Sequence, residues 1–265
     1  RYDENIRQTR NCIKNKNSCG KDKFIVKITT INIIGQGNVA FHYHKIMKER
    51  GYEVKTISSR KEFVLQDVKS DIVIIAVKDD AIKLVLDRLP KVKGLLLHTS
   101  GFTKTEILSE KADNYGCLYP LQSLNKKKKI DFSTVPLCFF VNNIKYKDCL
   151  ETFAKTLSPI TNFVSDEQRQ YLHIAAVFAN NFTNHLLGIS KNILDKNNIP
   201  FSMLFPIIDR TIENIKTSND IFSLQTGPAV REDMNIINEH IKYLSIKELE
   251  VYLAVSRSII DYQKK

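Results

Sequence analysis

The sequence predicts an α/β protein, a doubly wound parallel sheet followed by an all-helical second part. Two observations carry this. From Ile28 to Val164, short β-branched runs alternate with stretches of helical period, the pattern of parallel strands covered on both faces. After Val164 no run reads as a strand, and only helical periodicity continues.

In order, strands are expected at Ile28–Ile34, Tyr52–Ser58, Asp71–Val77, Gly94–His98, Pro136–Val141 and Ile160–Val164. Helices are expected between them at Asn38–Arg50, Glu62–Lys69, Asp79–Leu89, Lys104–Asn114 and Tyr146–Leu157. The stretch "DIVIIAV" is apolar almost throughout, as suits a central parallel strand buried on both faces. Beyond it, Asp166–Lys196, Met203–Lys216, Pro228–Leu244 and Ile246–Tyr262 read as helices. The expected organisation is a basic leader over residues 1–27, polar, aperiodic and disordered, then an α/β domain over 28–164 and a helical domain over 165–265.

The chain has 265 residues, 43% of them hydrophobic and 26% charged, which suits a globular protein with a substantial core. No apolar run approaches the roughly 20 residues of a membrane helix. The five cysteines (Cys12, Cys19, Cys117, Cys138, Cys149) are scattered and odd in number. That speaks against a disulfide framework or zinc site and for a reducing cytoplasm. The net charge of +11 raises nucleic acid as a partner. Residues 1–27 contribute +5 and Lys126–Lys129 another +4, so the remainder carries only +2. An excess confined to a tail and one loop, without aromatic residues interleaved on a basic face, reads as solvated charge.

The first strand runs into a glycine-rich turn and a helix in "TINIIGQGNVAFHYHKIMKERGYEV", positions 30–54. Gly35 permits the tight turn, Gly37 lets the backbone approach a pyrophosphate, and Ala40 packs helix against strand. Backbone amides from Gln36 through Asn38 and Val39, with the positive end of the helix behind them, form a phosphate cradle. A strand before, a helix after and a second strand on schedule favour a dinucleotide over a bare βα turn. At the end of the second strand an NAD site usually has Asp or Glu; here the chain reads Ile57-Ser58-Ser59-Arg60. Two hydroxyls and a guanidinium suit a 2′-phosphate, so NADP(H) is the expected cofactor. The alternative for Arg60 is a solvated turn residue.

Six segments then occur together: "INIIGQGNVAFHYHKIMKERGYEVKTISSR", "DIVIIAVKDDAI", "LLHTSG", "YPLQSL", "LHIAAVFANNFTNHL" and "QTGPAVREDM". Over about Ile28 to Tyr262 the sequence resembles the Rossmann-like, DUF2520-containing proteins, themselves similar in architecture to pyrroline-5-carboxylate reductases and 6-phosphogluconate/β-hydroxyacid dehydrogenases. The resemblance implies an NADP oxidoreductase with an N-terminal Rossmann domain and a 6-phosphogluconate dehydrogenase-like helical domain used for homodimerisation. It implies no particular substrate. One departure is Lys78, where the family pattern leads one to expect Pro after "DIVIIAV". In the loop Ala76-Val77-Lys78, expected beside the cofactor, that lysine either adds a phosphate contact or faces water.

Chemistry is expected at the carboxyl ends of the strands, where Gly35–Val39, Ala76–Asp80 and His98-Thr99-Ser100-Gly101 converge. His98 is a candidate proton donor or acceptor and Ser100 a candidate substrate contact. The other reading makes His98 a satisfied strand-end histidine and Thr99–Gly101 a helix-capping turn. On the long helix His173, Asn180 and Asn184 share one angular position, with Asn181 and His185 further round, on a helix otherwise apolar enough to be buried. His173 and Asn181 are candidates for the wall of a substrate cleft; a polar domain or dimer interface is the alternative. β-Hydroxyacid dehydrogenases carry a catalytic lysine one turn before an asparagine of this helix. Here Ala176 and Val177 stand there, and Lys191 comes later. Lysine-driven alcohol oxidation is thereby disfavoured, leaving a reductase that protonates through His, Ser or water, or no catalysis.

In "QTGPAVREDM" a helix is expected to begin at Pro228 behind Thr226 or Gly227, with Gln225, Thr226 and Arg231 able to bind an anion or hold an interface. Tyr119 and Gln122 are expected on a loop near the cleft or in ordinary packing. The expected function is NADP-dependent hydride transfer to or from a small carbonyl or imine substrate. The alternative is a non-catalytic NADP(H)-binding sensor or scaffold.

Overall fold

The computed structural model describes residues 27–60 and 62–264. The expected leader, apart from Lys27, lies outside the described residues, as do Cys12 and Cys19. Contacts divide the chain into two compact units, the first ending at Ala176 and the second beginning at Val177.

In the first unit, seven strands among the described residues form one sheet in the order β2-β1-β3-β4-β5-β6-β7. They are β1 (Thr30–Ile34), β2 (Glu53–Ile57), β3 (Ile72–Ile75), β4 (Leu95–His98), β5 (Tyr115–Pro120), β6 (Leu137–Val141) and β7 (Thr161–Phe163). β2 through β5 pair in parallel, while β6 runs antiparallel to β5 and carries β7 parallel to itself. The helices are α1 (Asn38–Glu49), α2 (Asp79–Arg88), α3 (Lys147–Leu157) and α4 (Asp166–Ala176). Strand alternation sends Ile31, Ile33, Ile72, Ile74 and Leu97 into one core with Tyr43, Met47 and Phe153. Ile34, Val73, Ile75 and Leu96 enter the opposite core with Ile82, Val85 and Leu86. Both faces are dry, which is why the central strands read as continuous apolar runs.

Three expectations for this unit require correction. No strand was expected where β5 lies, and Tyr119 was expected on a loop; a side chain at Gly116 would lie 2.0 Å from the Phe140 carbonyl oxygen, so the pairing with β6 requires glycine. Glu62–Lys69 is a short 3-10 turn, Leu65–Asp67, because the Asp67 carbonyl accepts from Asn32 Nδ2 at 2.6 Å and the Asp67 carboxylate takes Val64 N–H. Lys104–Asn114 is a 3-10 turn over Thr105–Leu108, its Thr105 N–H and hydroxyl both donated to Asp166 Oδ2.

The second unit has helices joined by turns, and no strand among its described residues. The chain passes from α4 through a π-helical turn, Val177–Phe182, into α5 (Thr183–Lys196), followed by α6 (Phe205–Thr217), α7 (Met234–Ile241) and α8 (Ile246–Gln263). The expected single helix over Asp166–Lys196 thus contains a π turn, which breaks the 100° spacing on which the polar stripe was drawn. Its apolar residues are not buried within the chain: Phe178 is 65% exposed. The helix expected from Pro228 begins at Met234. Gly227 and Glu232 have φ of +108° and +50°, and Asp233 is the N-cap, accepting from Ile236 N–H at 3.2 Å. Gln225, Thr226 and Arg231 therefore do not sit at a helix N-terminus. Among the described residues no helix is long and apolar enough to cross a membrane.

At the end of β1, Gly35 has φ +135°, and a Cβ there would lie 2.1 Å from the Ala76 carbonyl oxygen. Gly35→Ala is expected to cost at least roughly 1–3 kcal/mol of stability, read as a lower denaturant midpoint. An unchanged midpoint would show that this crossing adapts.

Candidate cofactor cradle and active site

The strand order reverses between β1 and β3, so a crevice opens at their carboxyl ends. Gly35 N–H donates to the Ile57 carbonyl at 2.9 Å and Ala76 N–H to the Ile34 carbonyl at 2.8 Å, which draws the ends of β2, β1 and β3 together. Val77 Cγ1 lies 3.4 Å from where a Cβ of Gly35 would stand. Gly37 is the N-cap of α1, extended at φ −77° and ψ −171°, and no side chain caps the helix there. Nothing lies within 4 Å of its would-be Cβ, and Gln36, Gly37 and Asn38 are exposed. An open helix N-terminus with free amides is a place for an anion, and Val39 and buried Ala40 continue it into the packed helix.

At the end of β2, Ser58 Oγ accepts from Arg60 N–H at 3.3 Å, and Arg60 is exposed without an ion-pair partner among the described residues. A second cation, Arg88, donates from Nη2 to the Ser59 carbonyl at 2.6 Å and lies 5.9 Å over the Phe63 ring. Sequence reasoning missed Arg88, which on its own reads as a charge complementing the end of a helix. Lys78 is the exposed N-cap of α2.

The segment after β4 is closely tied down. Ser100 Oγ donates to Asp79 Oδ2 at 2.8 Å and accepts from Phe102 and Thr103 N–H at 3.0 and 2.8 Å. Its hydroxyl therefore holds a turn together. His98 is fully buried, its Nδ1 accepting from Ser100 N–H at 3.1 Å, so the ring proton belongs on Nε2, which has no partner. Burial first, then the nearby Arg169 guanidinium, lowers its pKa to about 3. The strand-end reading of His98 matches its burial, but the ring is not satisfied, since Nε2 lacks a partner among the described residues.

Arg169, fully buried and also missed from sequence, clamps α4 to this segment. Its Nη1 donates to Asp166 Oδ1 at 2.7 Å and its Nη2 to the Thr103 carbonyl. Gln170 Nε2 adds a bond to the Phe102 carbonyl at 2.7 Å. The clamp brings His173 of α4 to Tyr119 of β5, with Nδ1 and the phenol oxygen 3.1 Å apart. The pair lies directly on Gly101, where a Cβ would come within 2.5 Å of His173 Nδ1. Both rings are half-buried, and burial pushes the Tyr119 phenol up to about 12, so it keeps its proton at neutral pH. Tyr119 was expected on a loop; the strand places it. His98, Ser100 and His173 are thus gathered at one end of the sheet, with Tyr119 and His173 the half-buried pair. Asn181 lies on the exposed π turn of the second unit, its Oδ1 accepting from Asn180 Nδ2 at 3.2 Å.

Buried His98 also shapes the response to acid. The unfolded chain binds its proton near the ordinary value of 6.5, whereas folded His98 refuses it until about 3. The stability held above 6.5 is therefore lost progressively as pH falls through this window. The denaturant midpoint is expected to drop between about pH 7 and about pH 4, with a smaller slope in His98→Gln. Equal slopes in the two proteins would contradict the buried neutral state.

Residues 137–259 match a family described as a domain of unknown function, DUF2520. No curated protein matches the sequence. Among solved structures, a candidate NADP oxidoreductase from Bacteroides fragilis is 27% identical, with a TM-score of 0.78 over 88% of this chain and 98% of that one. An imine reductase from Myxococcus stipitatus in complex with NADP+ has a TM-score of 0.58 at 14% identity, covering 89% and 93% of the two chains. A reductive aminase from Aspergillus terreus in complex with NADPH4, cyclohexanone and allyl amine scores 0.62 at 10% identity, covering 89% and 95%. At such identities the last two show a shared fold. The doubly wound sheet, the helical second unit and the match over residues 137–259 make the chain similar to the Rossmann-like, DUF2520 domain-containing proteins.

Proposed function

We propose that the protein is an NADP(H)-dependent oxidoreductase acting on a small carbonyl or imine substrate. The uncapped start of α1 beside the Gly35–Ala76 crossing, with Arg60 and Arg88 at the end of β2, carries this reading. It is supported by likeness to the Bacteroides fragilis protein and by the nicotinamide nucleotides named in the more distant reductases. The amides of Gly35 through Val39 hold the diphosphate, Ser58, Ser59 and Arg60 the 2′-phosphate, and Ala76, Val77 and Lys78 flank them. Bound there, the nicotinamide supplies or accepts hydride.

The chain's own contribution is a proton. Tyr119 Oη retains its hydrogen at neutral pH, and His173 Nδ1, 3.1 Å away, can replace it after donation. This reading gives to Tyr119 and His173 the proton-donor role that the sequence suggested for His98, with buried His98 and Ser100 behind them. A second reading, an NADP(H) sensor without turnover, is favoured by Ala176 and Val177 where related dehydrogenases carry lysine. We further propose a homodimer through the C-terminal helices, because Phe178, Met203 and Ile207 stay at least 64% exposed in the single chain. The buried thiols of Cys117 and Cys138 suit a reducing cytoplasm.

NADPH is expected to bind more tightly than NADH, and Arg60→Ala to remove about ten- to hundredfold of that preference; equal affinities in the parent protein refute the 2′-phosphate assignment. Tyr119→Phe is expected to lower turnover of a reducible imine, keto acid or aldehyde by about a hundredfold with NADPH affinity nearly unchanged. Full turnover in that variant makes the pair structural, and NADPH binding without oxidation across the substrate panel establishes the sensor.

A further inference from the structure

A second candidate site lies along α1, on residues the cradle does not use. The loop between β5 and β6 brings Lys126, Lys127, Lys128 and Lys129 to the rim of a cavity of about 200 Å³, with Lys45 facing them from α1. One acidic residue, Glu49, shares the lining. Among the described residues none of the five lysines forms an ion pair, although Lys83, Lys155, Lys191 and Lys242 each find one close at hand. Uncompensated charge is cheap on a mobile tail. Here four exposed ammonium groups stand close together on a loop whose backbone is fixed, which concentrates positive potential at one place.

Asn125 makes the turn, its side chain accepting from Lys127 N–H at 2.9 Å and its carbonyl from Lys128 N–H at 2.9 Å. That carbonyl also receives Nε2 of His42 at 3.0 Å, from a ring only 4% exposed. Lys126 N–H donates to Asn38 Oδ1 at 3.2 Å, which ties the loop to the first residue of α1. The backbone is thus pegged at three points while the ammonium groups remain free. The floor between them is apolar, made by Ile46, Ile130 and Phe132, with half-open Phe41 at its edge.

We propose that this cavity binds a small polyphosphate, the triphosphate of a nucleoside with its base against Phe41. Several lysines on a fixed turn neutralise a multiply charged chain of phosphates as point charges, and an exposed aromatic edge suits a base. The short reach of this half-open cavity favours a compact ligand over a nucleic-acid strand, which would need a longer basic track. This assignment goes beyond the sequence reading of the lysine run as solvated charge, and the four lysines are exposed.

The test is calorimetry on the full chain with inorganic tripolyphosphate, ATP and a single-stranded RNA oligomer. Tripolyphosphate is expected to bind with strong salt dependence and to lose at least about tenfold in affinity in the Lys127→Gln, Lys128→Gln, Lys129→Gln triple variant. Arg60→Ala should leave tripolyphosphate binding intact, which separates this site from the cradle whether or not NADPH binds there. ATP should bind more tightly than tripolyphosphate, with that increment lost in Phe41→Ala. Circular dichroism on each variant checks folding. Undiminished tripolyphosphate binding in the folded triple variant overturns the proposal, as does binding of RNA without binding of tripolyphosphate.

Discussion

Where β1 ends, the backbone of Gly35 runs so close to the carbonyl of Ala76 that no side chain fits between them. The rest of the first unit depends on this crossing. It lets β1 and β3 lie side by side while their following segments diverge, one into α1 and the other into α2. The divergence leaves the helix N-terminus behind Gly37 facing open space rather than protein. Partial positive charge at that terminus and the cations at the end of β2 then stand at the carboxyl ends of neighbouring strands, an arrangement that suits the proposed phosphate contacts.

A second constraint works at the far side of the same sheet edge. Arg169 is wholly buried, and a guanidinium so placed needs its charge met, although its Nε–H is left without a partner among the described residues. Asp166 meets the charge and the Thr103 carbonyl takes a further hydrogen. Replacing one partner of such a pair typically costs about 3–5 kcal/mol because the other charge is left uncompensated. The pair therefore acts as a positional lock: α4 has one seat against the segment after β4, and that seat sets His173 on Tyr119. Hydroxyl, imidazole and amide groups on a rigid sheet end can move a proton without rearrangement of the backbone.

The doubly wound sheet was legible because its signals are local. Ile31, Ile33 and Ile34 with Ile72 through Ile75 repeat a buried-strand pattern, and the glycines stand at fixed offsets from it. What escaped sequence reading depends on contacts between distant segments. β5 was hidden because the need for Gly116 comes from Phe140, and the two shortened helices were shortened by Asn32 and Asp166, which lie far from them in sequence. The same holds at the site. Arg60 was visible because it follows a strand at a known spacing, whereas Arg88 reaches Ser59 only through the fold. His98 looked reactive because a histidine at a strand end is common in active sites, but its neighbours seal it. Tyr119 and His173 were each singled out but not as a pair, since their bond spans 54 residues.

The most direct measurement is a crystal structure of the chain grown with saturating NADPH. The account predicts diphosphate density on the amides that follow Gly35, the 2′-phosphate within hydrogen-bonding distance of Arg60, and the nicotinamide on the side of the sheet that holds Tyr119 and His173. A nucleotide seated elsewhere, or density for none, would contradict it.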